Sequence, residues 1–217
     1  MSDEDPSFTQ SLRGSARQFY VHGVKALKPN HPEVAQLQRE GYQPSDFGSR
    51  IWRSSYLLID YLSDRSFEDT NDVIELGCGW GLAGTYLQKW HDVEVTATDI
   101  DADVFPYQQL LCRHNGVAMR TQQCSLSGLC RENLKQVDLM IGADICYSET
   151  NASDLESLCH RLADQGGGEL ILADSGRPPF HQLAEKLAHR YAVELTPTRL
   201  ELPAIASGQV LHAVMSP

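Results

Sequence analysis

Residues 72–81, DVIELGCGWG, join a short apolar run to three closely spaced glycines and decide the fold. The run 72–76 is typical of a buried strand, and apolar side chains recur at helical spacing over 82–90. Glycine between these segments permits a tight turn and lets the backbone approach a ligand closely. The stretch therefore predicts a strand, a ligand-binding loop and a helix in that order.

Strand-like and helix-like patterns alternate through the rest of the chain. Further strands are predicted at 93–99, 118–124, 137–144 and 169–174, and further helices at 50–62, 102–115, 152–164 and 178–190. Ser153 and Glu156 form a predicted capping box for the third of these helices. Two strands, 192–201 and 209–215, end the chain without a helix between them. The order predicts an α/β fold with a doubly wound, mostly parallel, seven-stranded Rossmann-like sheet and a C-terminal antiparallel strand.

Length and composition restrict the class of protein. The chain has 217 residues, of which 41% are hydrophobic, so a single globular domain fits and general disorder does not. No apolar run approaches the roughly 20 residues needed to span a bilayer, and the acidic first ten residues do not resemble a secretory signal. Six cysteines without a CxxC pair, and eight scattered histidines, predict reduced thiols, a cytoplasmic location and no metal site. The net charge of −11 opposes a nucleic-acid partner.

The first 45 residues differ in composition from the remainder. Three acids near the start are followed by Arg13, Arg17, Lys25 and Lys28, with no acid between 11 and 28, and then by several prolines. This pattern predicts an extension over 1–45 with little regular core apart from a short helix near 33–40. We interpret it as a candidate substrate-recognition segment ahead of a domain at 46–217.

An acid at the end of the second strand of the domain identifies the ligand class. Asp99 stands 18 residues after Gly81, the spacing at which a carboxylate binds ribose hydroxyls. Gly79, Gly81 and Gly84 also match the dinucleotide pattern GxGxxG, which leaves an NAD-dependent dehydrogenase as an alternative. A carboxylate from Glu75 at the mouth of the loop would repel a pyrophosphate and suit the ammonium and sulfonium of S-adenosylmethionine. The sequence also has no Tyr-x-x-x-Lys pair, so S-adenosylmethionine is favoured.

The glycine loop and Asp99 resemble the first motif and the ribose-binding acid of the class I, seven-stranded S-adenosylmethionine-dependent methyltransferases. Over residues 46–217 the chain resembles more narrowly the protein-lysine methyltransferase-like family. Gly48 to Trp52 is similar to that family's Gly-x-x-x-Trp motif before the first helix. Residues 142–144, Gly-Ala-Asp, end the fourth strand as in the family, and 144–147, Asp-Ile-Cys-Tyr, match its Asp/Glu-x-x-Tyr/Phe motif.

The resemblance implies a set of cofactor-binding positions. Family members usually end the third strand with an acid and a Trp near the adenine, whereas this chain has Cys124-Ser125-Leu126. Ser125 offers a hydroxyl there, and Leu126 offers an apolar edge and a backbone N–H. With Glu75 from the charge argument, the expected S-adenosylmethionine site comprises Trp52, Glu75, Gly77, Cys78, Gly79, Asp99, Ser125, Leu126 and Ala143.

Asp144 and Tyr147 are the predicted catalytic residues. A lysine amine has an ordinary pKa of about 10.4, so an enzyme must deprotonate and orient it before methyl transfer. In open α/β sheets the ligand lies beyond the carboxyl ends of the strands, where both residues fall. A carboxylate can hydrogen-bond the amine and accept its proton, and a tyrosine face can hold a cationic nitrogen. These residues predict an S-adenosylmethionine-dependent methyltransferase with a protein lysine as substrate.

Two alternatives remain open besides the dehydrogenase. A small molecule or a nucleobase could be the acceptor, because amino-methylating DNA enzymes carry Asp/Asn-Pro-Pro-Tyr where this chain has residues 144–147; here Ile145 and Cys146 replace both prolines. A non-catalytic S-adenosylmethionine-binding protein would fit the missing acid before Leu126.

Overall fold

The computed structural model describes residues 15–45, 47–201 and 203–216. Arg13 and the three acids near the start, Asp3, Glu4 and Asp5, lie outside the described residues. The strands are β1 Gln18–Val21, β2 Val24–Leu27, β3 Asp72–Leu76, β4 Glu94–Asp99, β5 Arg120–Gln123, β6 Leu139–Ala143, β7 Gly168–Asp174, β8 Ala192–Leu200 and β9 Ala206–Met215. The α-helices are α1 Pro32–Arg39, α2 Ser54–Ser63, α3 Leu82–Trp90, α4 Phe105–Asn115, α5 Glu149–Ala163 and α6 Pro178–Ala188. Short 3₁₀ turns cover Ala102–Val104 and Arg131–Leu134.

Seven of these strands form one sheet in the order β5-β4-β3-β6-β7-β9-β8. The pairs from β5 to β7 are parallel, whereas β9 runs antiparallel to both β7 and β8. This arrangement confirms the predicted α/β class and its antiparallel C-terminal strand. The order reverses between β3 and β6, and the crevice beyond the carboxyl ends of these strands is where ligands of such sheets bind.

The inner parallel strands are apolar on both sides because helices cover both faces of the sheet. Val73 and Ile141 face the layer that contains α2, α3 and α4, and Ile74 and Met140 face the layer of α5 and α6. Leu58 and Phe180, one from each helical layer, are fully buried. Two packed layers thus hold the loops at the carboxyl edge in fixed positions. No helix of the described ranges is long and apolar enough to cross a bilayer.

The N-terminal segment is more ordered than its composition predicts. β1 and β2 form an antiparallel hairpin with paired residues Val21 and Val24 at its turn, and β2 packs against α3 and α4. Val24 and Leu27 are buried in the same cluster as the core of α3. The expectation of little regular core is therefore wrong for residues 15–45, while α1 lies where the short helix was predicted. Four-residue strands leave too short a periodic pattern for a prediction from sequence.

The start of α5 also differs from the prediction. Ser148, rather than Ser153, is the N-cap, because its Oγ accepts a hydrogen bond from the backbone N–H of Asn151 at 3.1 Å. Ser153 lies within the helix, and its carbonyl oxygen accepts a hydrogen bond from Ser157. The helix therefore begins directly after the predicted Asp-x-x-Tyr motif and carries Tyr147 close to its first turn.

Candidate active site

A cavity of about 460 Å³ opens at the carboxyl ends of the parallel strands. Its volume lies within the range typical of sites for small molecules and cofactors. The structure brings all of the sequence-predicted site residues to its wall: Trp52, Glu75, Gly77, Cys78, Gly79, Asp99, Ser125, Leu126, Ala143, Asp144 and Tyr147.

The glycine loop between β3 and α3 is held by the end of β4. The Gly79 N–H donates to Oδ2 of Asp99 at 2.9 Å, and the Cys78 N–H donates to the carbonyl of Thr98 at 2.8 Å. Gly79 has a φ of +51°, and a Cβ placed on it would meet no atom within 4 Å. The loop therefore presents bare backbone to the cavity, as close approach of a ligand requires.

Asp99 connects the loop to the next turn. Its Oδ1 accepts a hydrogen bond from the Asp101 N–H at 3.0 Å, while Oδ2 binds Gly79. Burial raises the pKa of Asp99, and these backbone donors oppose that effect. Each carboxylate oxygen can accept a further hydrogen bond, so a ligand hydroxyl can bind without disrupting the loop.

Glu75 lies beneath the glycine loop and not at its mouth. The side chain is only 5% exposed, and burial raises its pKa to about 8, although the nearby backbone N–H groups of Ala83 and Gly84 oppose the shift. Its Oε2 has no hydrogen-bond partner among the described residues. A carboxyl with this pKa is mostly protonated at neutral pH, so the negative charge that the sequence argument assigned to Glu75 depends on a cationic ligand nearby. The group can ionise if a cationic ligand approaches.

The carboxylate of Asp144 is paired with an arginine. Nη2 of Arg177 donates to Oδ1 of Asp144 at 2.6 Å and to Oδ2 of Asp174 at 2.5 Å. Burial raises the pKa of Asp144, and a hydrogen bond from Ser54 and the charge of Arg177 oppose this rise. Asp144 also has a left-handed φ of +59°, and its N–H donates to the carbonyl of Ala173 at 2.9 Å. Strain at a non-glycine residue is typical of functional positions.

Aromatic side chains line the same cavity as the carboxylate of Asp144. Tyr147 is 45% exposed, and its ring stacks on that of Phe47 with centroids 5.1 Å apart and planes 7° from parallel. Nε1 of Trp52 donates to the Phe47 carbonyl at 2.6 Å. The guanidinium of Arg50 lies 4.2 Å from the Trp52 ring centroid. The segment before α2 thus forms one wall of the cavity, in line with the predicted place of Trp52.

The residues after β5 form the far end of the cavity. Oγ of Ser125 accepts a hydrogen bond from the Gly128 N–H at 3.0 Å, so the hydroxyl stabilises a turn. Leu126 is partly buried against the α5 layer. Ile100, which follows Asp99, is 69% exposed and lines the same cavity. An exposed apolar side chain beside a glycine loop suits a flat ligand ring.

Sequence reasoning missed two residues that line the cavity. Phe47 immediately precedes the Gly-x-x-x-Trp motif, and Asp154 lies within α5, which begins after Tyr147. Arg177 follows the fifth strand of the domain, so its place at the carboxyl edge was predictable from the sequence, whereas its pairing with Asp144 was not.

The reversal in strand order, the glycine loop after β3 and the acid ending β4 together define a class I S-adenosylmethionine-dependent methyltransferase. A family model described as lysine methyltransferase matches residues 31–177, more than half of the chain. The chain belongs to this lysine methyltransferase family. The resemblance drawn from residues 46–217 is thereby confirmed, and the matched region also includes α1.

Named relatives are distant in sequence. The zebrafish (Danio rerio) electron transfer flavoprotein beta subunit lysine methyltransferase is 24% identical over 69% of this chain, which spans only 58% of that protein's length. Protein N-lysine methyltransferase METTL21A of Xenopus tropicalis is 26% identical over 66% of this chain and 72% of its own. Among solved structures, the plantazolicin methyltransferase BamL, in a complex that includes SAH, has a TM-score of 0.55 at 14% identity, with 87% of this chain and 93% of that chain covered. The similarity to BamL shows a shared fold and nothing about function.

Proposed function

We propose that this protein transfers the methyl group of S-adenosylmethionine to the side-chain amine of a lysine in a protein substrate. The observation that carries the proposal is the placement of Asp144, paired with Arg177, beside the exposed ring of Tyr147 at the wall of the cavity. Family membership and the relatives named as lysine methyltransferases support lysine as the acceptor.

The residues of the cavity fit S-adenosylmethionine. Bare backbone at Gly79 can accommodate a bulky ligand, and Asp99 has lone pairs left for ribose hydroxyls. The unpartnered Oε2 of Glu75 offers a buried acceptor for a cationic group of the ligand. The full proposed cofactor site is Trp52, Glu75, Gly77, Cys78, Gly79, Asp99, Ser125, Leu126 and Ala143. When bound, the cofactor supplies an electrophilic methyl group on a positively charged sulfur.

Asp144 and Tyr147 are the proposed catalytic residues. The carboxylate of Asp144 accepts a hydrogen bond from the lysine Nζ and takes up a proton from it, which frees the lone pair for attack. Burial raises the pKa of Asp144, which strengthens it as a base, while Arg177 keeps the carboxylate ionised and fixed in direction. The ring of Tyr147 holds the cationic end of the side chain and Phe47 packs behind it.

We also propose the class of partner and the compartment. A protein substrate is expected, a nucleic acid is opposed by the net charge of −11, and residues 1–45 remain a candidate for substrate recognition. All six cysteines are unpaired. Free thiols support a reducing compartment, so we propose a cytoplasmic location.

The proposal is tested by transfer of radiolabelled methyl groups from S-adenosylmethionine into an extract of the source cells, separated into protein, nucleic acid and small molecules. The wild-type chain is compared with Asp144→Asn and with Asp92→Asn, whose exposed carboxyl lies outside the cavity. Calorimetric titration with S-adenosylmethionine checks that each variant still binds the cofactor.

Label in a discrete protein band that yields methyl-lysine on hydrolysis, lost with Asp144→Asn and kept with Asp92→Asn, supports the proposal. Label confined to nucleic acid or small molecules would contradict the protein substrate. Full activity of Asp144→Asn would contradict the role of its carboxylate.

A further inference from the structure

Three potential metal ligands that are far apart in sequence meet on the side of the molecule formed by α1 and α4. The imidazoles of His31 and His114 and the carboxylate of Glu33 have ligand atoms that all lie within 4.8 Å of one another. Nε2 of His114 is 2.7 Å from Oε1 of Glu33. The rings of His31 and His114 meet edge to face, with centroids 5.3 Å apart and planes at 87°.

From this donor set we infer a binding site for a divalent transition-metal ion, with zinc as the best match. Two imidazoles and one carboxylate are ligands that zinc favours, and a water can complete a tetrahedron. Ligand atoms around tetrahedral zinc stand about 3.4 Å apart, because each bond is about 2.1 Å long. The ligand atoms of His31, Glu33 and His114 lie within 4.8 Å of one another, and one pair is 2.7 Å apart, so side-chain rotations can bring them to that spacing.

The backbone holds these side chains in place. His31 is the N-cap of α1 and Glu33 lies in its first turn, while His114 lies in the last turn of α4. Asn115, next to His114, donates from Nδ2 to the Lys25 carbonyl at 2.9 Å and accepts from the Lys25 N–H at 2.8 Å. These bonds fix the end of α4 against the hairpin, so the cluster does not depend on freely moving elements.

Two nearby cations oppose a metal at this cluster. Arg17 and Lys25 lie close enough to His31 to act on it electrostatically. They would repel a divalent ion, so we expect weaker binding than in a structural zinc site with thiolate ligands.

A bound ion would tie α1 to α4 and stabilise the segment that reaches the cavity. That segment continues through Tyr42, whose carbonyl accepts a hydrogen bond from the Tyr107 hydroxyl at 2.7 Å. It then passes Ser45, whose N–H donates to Asp101 at 2.7 Å, before it reaches Phe47. The ion is thus structural in role, and the inference does not depend on the proposed methyl transfer.

The test is calorimetric titration of ZnCl₂ into the full chain, prepared without a polyhistidine tag and without cofactor. We expect binding of one equivalent and a zinc-dependent rise in the thermal unfolding midpoint. His114→Ala and Glu33→Gln should weaken binding by about tenfold or more. Glu33→Gln keeps a hydrogen-bond partner for His114, so it separates loss of a ligand from loss of folding.

His189→Ala is the matched control, since this histidine is exposed at the end of α6 and outside the cluster. It should bind zinc as the wild type does, and all variants retain the exposed thiol of Cys130. Absence of zinc binding by the wild type overturns the inference. Equal binding by wild type, His114→Ala and Glu33→Gln also overturns it, because zinc would then be held elsewhere.

Discussion

The guanidinium of Arg177 donates from Nη2 to Oδ1 of Asp144 at 2.6 Å and so joins the loop after β7 to the end of β6. The same guanidinium is bound to Asp174, whose side chain is only 1% exposed. A buried carboxylate requires a partner, so Arg177 supports the fold through Asp174 and the proposed chemistry through Asp144. The orientation of the Asp144 carboxylate is therefore fixed by its ion pair with Arg177.

Replacement of Arg177 by Gln should impair both roles. We expect the free energy of unfolding to fall by roughly 3 kcal/mol, the low end for broken buried pairs, because the guanidinium is 31% exposed. The pKa of Asp144 should rise further, since the charge that opposes its burial is removed. The acid limb of the pH profile of kcat/KM should then move to higher pH. Urea unfolding and methyl-transfer rates between pH 6 and 9 measure the two effects.

Arg199→Gln is the control for that variant, because Arg199 forms an exposed pair with Glu201 outside the cavity. It should change neither the unfolding free energy nor the pH profile appreciably. An unchanged acid limb in Arg177→Gln would argue against coupling between Arg177 and Asp144.

Glu75 should make stability fall as pH rises. Its pKa is about 8 in the folded chain and 4.5 ordinarily, so the folded state keeps a proton that the unfolded state releases between these values. The free energy of unfolding therefore decreases from pH 4.5 to pH 8, by roughly 4 kcal/mol if the full shift applies. Glu75→Gln removes this titration and should flatten the dependence. The comparison is urea unfolding at several pH values with exposed Glu68→Gln as control. Equal slopes in all three proteins would show that folding does not raise the pKa of Glu75.

Gly79 should be required for the ligand more than for the fold. Alanine at this left-handed position costs about 1 kcal/mol of stability, and its Cβ would enter open space in the cavity. We expect Gly79→Ala to weaken S-adenosylmethionine binding by about tenfold or more. Gly116→Ala has the same backbone strain with no atom within 4 Å, but it lies after α4 and outside the cavity. It should lose similar stability and bind the cofactor normally in calorimetric titration; equal affinities of the two variants would contradict this account.

The parts of the site that the sequence predicted correctly are those that follow directly from a short, recognisable stretch of sequence. The loop at 77–81 follows a strand directly, and Asp99 ends the next one, so a strand pattern alone places both at one edge of the sheet. Pairings between distant segments have no such signal. The bond between Arg177 and Asp144 and the stack of Phe47 on Tyr147 depend on side-chain directions at the ends of separate elements.

The burial of an ionisable side chain, and therefore its protonation state, could not be predicted from the sequence either. A sequence pattern shows that residue 75 is a glutamate but not whether its carboxyl is exposed or buried. The structure places it beneath the loop, where desolvation dominates and changes its protonation. The meeting of His31, Glu33 and His114 had no sequence signal for a related reason, because His114 lies 81 residues from Glu33 and no spacing rule connects them.

The hairpin of β1 and β2 was not predicted, and its place in the core leads to a test of folding. Leu27 is 2% exposed and belongs to the cluster that contains Leu87 of α3. If the hairpin is part of one cooperative unit, Leu27→Ala should lower the free energy of unfolding of the whole chain by about 3 kcal/mol. Ile205→Ala, at a side chain that is 56% exposed, should lower it by much less. Urea unfolding followed by fluorescence and circular dichroism should show one shared transition in each variant. A separate early transition in Leu27→Ala, with the main transition unmoved, would instead make the hairpin an independently melting attachment.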